Sequence, residues 1–220
     1  EMAVLKQDVK YLSDIHNADR YQSIFIVEGG GANEERQKIT IDNNAEKYEL
    51  YFDPYLNNVA HGDGVPYHLW SVINLVGANN VDLELNQLDV EITNETEYDR
   101  LDLVGIYSGG NNQIKITEDY TFSTETGDEK GLTSALVLTG PIREEGDAPQ
   151  AKVEIEGALT VDIKNTPFGN GVHVAGTYDG RMPENSLIPE VVLNDTKVTL
   201  EGGTALHLGS FEDDCNCNSE

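Results

Sequence analysis

The sequence predicts an all-β fold: a three-sided parallel β-helix (β-solenoid) that opens on a short N-terminal capping helix. Three observations carry this expectation. After about residue 38 the apolar residues return in a three-beat cycle of short alternating runs, the third of which ends in glycine or another small residue. The first runs begin at Ile39, Val81, Ile114, Val153 and Val191, in steps of 42, 33, 39 and 38 residues. Such uneven steps suit a coil whose strands stay fixed while its corners vary in length. Extra residues also collect at the same two places in each cycle, after the second run and after the third. A sandwich of hairpins would instead show turn signals every 8 to 12 residues or so. One unit of three short strands cannot bury its own apolar face, so it must stack on copies of itself.

In chain order, Leu5, Val9, Leu12 and Ile15 or His16 fall at helical spacing and predict an amphipathic helix over 2–17. Ile24-Phe25-Ile26-Val27 reads as a strand running into Gly29-Gly30-Gly31. Helix and strand together form the expected cap, residues 1–31, because a solenoid exposes strand edges at its end and needs them covered. About five coils then occupy 38–211. The first is loose: Ile39-Thr40-Ile41, Tyr48 to Phe52, and Val72 to Gly77. The second reads Val81 to Leu85, Leu88 to Ile92 and Leu103 to Gly109; the third Ile114 to Ile116, Tyr120 to Phe122 and Ala135 to Gly140. The last two are Val153 to Ile155, Leu159 to Ile163, Val172 to Gly176, and Val191 to Leu193, Val198 to Leu200, Ala205 to Gly209. Alternation puts one side chain of each strand in the core and the next in solvent, where Asp, Glu, Thr, Lys and Asn predominate. Asn79-Asn80 and Asn111-Asn112 precede first strands of adjacent coils. They suit a stacked side-chain ladder, and asparagine is also simply a good corner residue. Residues 212–220 lack the strand grammar and read as an acidic, disordered tail holding both cysteines, Cys215 and Cys217. The cysteines are two residues apart, so they form either a strained local disulfide or bonds to partners beyond this chain.

Composition narrows the function classes. The 220 residues are 38% hydrophobic, enough for one domain with a substantial core, and 21 glycines supply corners. With 14 basic against 40 acidic residues the net charge is −26, a surface that repels nucleic acid and anionic membranes. There is no apolar stretch of 18 residues and no basic-then-apolar leader, so no membrane insertion by this segment is expected.

The helix leading to a glycine-ended strand, followed by coils with phrases such as Val191-Val192-Leu193-Asn194-Asp195-Thr196-Lys197-Val198-Thr199-Leu200-Glu201-Gly202-Gly203-Thr204-Ala205-Leu206, resembles the right-handed parallel β-helix passenger of bacterial autotransporter adhesins. More loosely it resembles the pectate-lyase-like adhesive domains of other bacterial surface proteins. The similarity lies in repeat grammar and covers nearly the whole chain; it carries no site motif. It implies a right-handed coil, an extracellular place on the bacterial cell surface, and binding to a host or bacterial surface glycan or protein, or self-association.

Enzymes share such folds, so the residues must be weighed for chemistry. Polysaccharide lyases and hydrolases need a positioned acid/base pair at the scissile sugar. Here Arg20, Arg36, Arg100, Arg143 and Arg181 all fall in caps or corners, and none adjoins a paired-aspartate strand motif. His61-Gly62-Asp63-Gly64 has the wrong order for a hydrolase phrase, and no Gly-x-Ser-x-Gly elbow occurs. His173 and His207 hold equivalent outward positions of successive third strands; they read as two exposed residues rather than a metal site, since zinc normally takes three or four protein ligands. The longest corner, 53–70, gathers Tyr55, His61, Asp63, Tyr67, His68 and Trp70. Aromatic faces beside polar groups are what a sugar-binding patch uses, whereas the plainer reading packs Leu69 and Trp70 onto the coil. Acidic clusters at Glu125 to Glu129, Glu144 to Asp147 and Asp213-Asp214 match no known calcium loop, so no cofactor and no metal is predicted, although calcium would find oxygen ligands there. The expected function is a non-catalytic surface adhesin, ahead of a glycan-active enzyme and a passive spacer.

Overall fold

The computed structural model describes residues 2–5, 9–13, 21–27, 35–43, 48–52, 68–75, 78, 80–94, 101–109, 111–126, 133–139, 151–164, 169–175 and 189–208. Among them there is no helix. The strands are β1 (Met2–Leu5), β2 (Val9–Ser13), β3 (Tyr21–Ile26), β4 (Gln37–Asn43), β5 (Tyr48–Phe52), β6 (His68–Leu75), β7 (Val81–Leu85) and β8 (Leu88–Asn94). They continue with β9 (Leu101–Ser108), β10 (Gln113–Ile116), β11 (Tyr120–Thr126), β12 (Thr133–Thr139), β13 (Lys152–Lys164), β14 (Gly169–Ala175), β15 (Glu190–Leu200) and β16 (Thr204–Leu208).

Every pairing is parallel, and each strand pairs with its counterpart one cycle later. First strands stack as β1-β4-β7-β10-β13 and second strands as β2-β5-β8-β11-β13, joined into one ten-stranded sheet by the long β13, which also pairs β15. Third strands form a separate six-stranded sheet, β3-β6-β9-β12-β14-β16. Parallel neighbours cannot be linked by hairpins, so each must be reached through the rest of a cycle.

Two sequence expectations fail at the ends of the chain. The capping helix is absent: Met2–Leu5 and Val9–Ser13 are strands, registered as Ala3 to Ile41 on β4 and Tyr11 to Leu50 on β5. A short isolated helix is marginal, and the edges of β4 and β5 offer these residues hydrogen bonds a helix would leave unmade. The N-terminal residues thus build a cycle of their own. In the last two cycles the first and second strands, read separately, run together as β13 and β15, with a register shift between Ile155 and Ala158.

The core follows the rows. Val81–Leu85 alternates buried and half-buried, and the buried members Leu83 and Leu85 align with Ile114 and Ile116, then with Val153 and Ile155. Tyr120 and Phe122 are the largest fully buried side chains. In the six-stranded sheet strict alternation breaks, because two successive residues, Val72-Ile73 and Ala135-Leu136, are buried together in the main core. The ladder skips at this point in each pair, between Ser134 and Leu136 for example. The tyrosine explains the residue choice there: the Tyr120 hydroxyl donates to the carbonyl of Ala135. A side chain at Gly105 would collide with that hydroxyl and with Phe122.

Candidate functional surface

The corner leading into the first strands holds the most complete polar network among the described residues. Extending the β7–β10 register by two residues places Asn112 over Val81 and Asn111 over Asn80, in line with the hydrogen bonds between them. The Asn111 amide donates to Asn80 Oδ1 at 2.6 Å, and the Asn80 backbone N–H donates to Asn111 Oδ1 at 3.0 Å. Asn112 accepts from Val81 N–H at 3.1 Å and donates to the carbonyls of Leu75, Ala78 and Gly109. All three asparagines are buried. The ladder foreseen in the sequence therefore exists, offset by one residue from a pair-on-pair stack. Asn80 has φ 55°, a left-handed conformation that asparagine tolerates better than most residues. Arg36 closes the row on the N-terminal side: its guanidinium donates to the Asp82 carboxylate and to the carbonyls of Val81 and Asn111.

The outward rows of the first strands alternate in charge. One row runs Thr40, Glu84, Lys115, Glu154, and its neighbour runs Lys38, Asp82, Gln113, Lys152, Glu190. Lys115 Nζ lies 2.7 Å from Glu156, and Lys152 Nζ lies 3.3 Å from Glu154 and 3.5 Å from Glu190. The hydrogen bond that Lys115 donates to Glu156 raises the pKa of its ammonium, and the one that Lys152 donates to Glu154 does the same there. Exposed pairs of this kind are screened by solvent and add little stability, so their main effect is to keep like charges from stacking in adjacent strands. The second-strand rows are less balanced: Glu49, Glu91, Ser123 and Asp162 share a row, and Asp89 leads another through Thr121 and Thr160.

The histidine pair is drawn together, but not as two exposed residues. His173 and His207 are registered partners on β14 and β16, and their rings stack with centroids 4.4 Å apart. His173 is buried, with Nδ1 at 3.4 Å from the Asn170 amide. Its row also contains Tyr107 and Val137, which with Val104 form a second apolar cluster on the sheet face away from the main core. Alternation alone gave no hint that this outer face is buried. Among the described residues no group of three His, Cys, Asp or Glu side chains could hold a metal ion.

Of the residues singled out in the long corner, Tyr55, His61, Asp63 and Tyr67 lie outside the described residues, as do Cys215, Cys217 and the acidic runs after Glu125. His68 and Trp70 belong to strand β6, which starts earlier than the apolar run suggests. Trp70 sits in register with Gln22 on one side and Leu103 on the other, and Leu103 is part of the main core.

The carboxylates of the described side chains are all half-buried or exposed, and buried polar groups are amides, hydroxyls and one imidazole. Comparison of the chain with protein-family models, with curated proteins and with solved structures returns no match.

Proposed function

We propose that the chain is a right-handed, three-sided β-helix that acts as an extracellular adhesive segment of a bacterial surface, displaying its variable corners to a glycan or protein ligand without catalysing a reaction. The observation that carries this reading is the contrast between constant rows and variable corners. Corners between first and second strands are tight, 86–87 and 117–119 for example, while those flanking the third strands range from 201–203 to 53–67. Since successive strands in a sheet are about 4.8 Å apart, insertions at equivalent corners emerge along the same flank, where one extended ligand could meet several of them. Among the described residues, side-chain ladders and alternating charges hold that frame.

A glycan-array and host-matrix screen of residues 1–220, with and without calcium, paired with a reducing-end assay on the same polysaccharides, tests the reading. Saturable binding without product is expected; released sugar ends would replace it with an enzyme. Trp70→Ala then assigns the long corner. Its register with Leu103 leads to a clear fall in melting temperature with ligand binding retained, whereas lost binding at an unchanged melting temperature would make Trp70 a receptor contact.

A further inference from the structure

The exposed large hydrophobic residues among the described side chains are Ile26, Leu206 and Leu208, and all three lie on the terminal strands of the six-stranded sheet. Leu206 and Leu208, 51% and 64% exposed, occupy the rows that Val172 and Val174 hold fully inside one cycle earlier. Among the described residues β16 is the last strand of its sheet, and no described strand stacks on it. At the other end of the Leu206 row stands Phe25, partly buried against the core, and Ile26 stands at the other end of the adjacent His207 row. Edge strands are normally protected by charge, proline or bulges. Strand β2 carries Lys10, and β15 carries Glu190, Asp195 and Lys197, whereas β3 (YQSIFI) and β16 (TALHL) contain no Asp, Glu, Lys, Arg, Pro or Gly.

We propose that the two ends of this sheet are a complementary pair: β16 of one copy adds in parallel to β3 of a second copy, so that molecules associate head to tail. The inference rests on the β-helix reading above. Continuing the observed register sets Leu206 against Phe25 and His207 against Ile26 of the next molecule, which prolongs an apolar row that is already unbroken through Ile73, Ile106, Leu136 and Val172. On the ten-stranded sheet the same step brings Val198 to Val9 and Thr199 to Lys10. The contact is heterologous, since each copy offers a different surface at each end, and it leads to open chains rather than a closed dimer. The charge of −26 on every copy opposes it, so association strengthens as salt screens that repulsion.

Sedimentation of the 220-residue chain over a concentration series at low and high salt is the test, with Leu206→Lys/Leu208→Lys blocking one end and Ile26→Lys the other. Wild type is expected to grow in mass with concentration, more steeply at high salt. Each blocked variant alone is expected to stay monomeric, and an equimolar mixture of the two to stop at dimers. A wild type that stays monomeric throughout, blocked variants that still self-associate, or a mixture that yields no dimer would each overturn the proposal. Amide exchange on the same samples separates this from failure of the β-helix reading. If the stacking is right, β13 amides stay protected whatever the mass; if they exchange as fast as those of β16, the stacking itself is wrong.

Discussion

Strands β13 and β15 occupy the same rows of the same sheet and carry the same chemistry, yet they live in different environments. Val153, Ile155, Val161 and Ile163 are fully buried; their partners Val191, Leu193, Val198 and Leu200 are only partly so. The difference is one neighbouring strand. Burial of an aliphatic side chain contributes about 1.5–3 kcal/mol, and here that term is supplied by the next cycle rather than by the strand's own turn. A stack of this kind is stable in its middle and weak at its ends, with each cycle depending on its neighbours.

The largest expected effect compares the two strands directly. Val161→Asp places a carboxylate in a fully enclosed row and is expected to cost several kcal/mol or abolish folding, while Val198→Asp, in the same row one cycle on, is expected to cost roughly half as much or less. Chemical denaturation of both variants measures the gap, and equal losses would mean that the terminal cycle is enclosed after all. Next come the asparagines. Asn112→Ala leaves the Val81 N–H and three carbonyls without their buried partner and is expected to cost about 2–3 kcal/mol. Asn194→Ala, on exposed β15, removes donations to the carbonyls of Ile155 and Glu156 and is expected to cost about 0.5 kcal/mol.

A smaller effect is readable in pH. Tyr120 is fully enclosed and burial pushes its phenol well above the ordinary value of 10.0. The folded state therefore retains a proton that the unfolded state releases, so the stabilisation is complete below pH 10.0 and is lost as pH rises beyond it. Tyr120→Phe is expected to cost about 1 kcal/mol at neutral pH through the lost bond to Ala135, and to flatten the alkaline fall in stability. Alkaline titrations followed by circular dichroism distinguish the two proteins; parallel curves would remove Tyr120 as the cause. The smallest effect belongs to the surface rows: Lys115→Met is expected to leave the denaturation midpoint almost unchanged, with any difference shrinking in salt.

Much of the strand grammar was legible because alternation is a local property. Val81–Leu85 and Tyr48–Phe52 have the bounds the apolar pattern suggests, and the asparagine corner was visible as a recurring dipeptide. The N-terminus was misread because Leu5, Val9 and Leu12 satisfy a helical period as well as two short strands, and only the open edges of β4 and β5 choose between them. The buried outer face of the six-stranded sheet was illegible for a different reason: Ser71, Asn74, Ser134 and His173 have the polarity of solvent-facing residues.

By itself, then, the sequence determined the strands of the repeating cycles after about residue 38, where corners can lengthen, and that each strand repeats with a partner about a cycle away. Tertiary structure alone decided the phase. A slip of one residue between cycles exchanges the two faces of a strand, so hydrophobic pattern cannot say whether Asn111 stands over Asn79 or Asn80, or whether Leu206 is covered. Those outcomes depend on hydrogen bonds and contacts between residues some 30 to 40 positions apart, which no local period encodes.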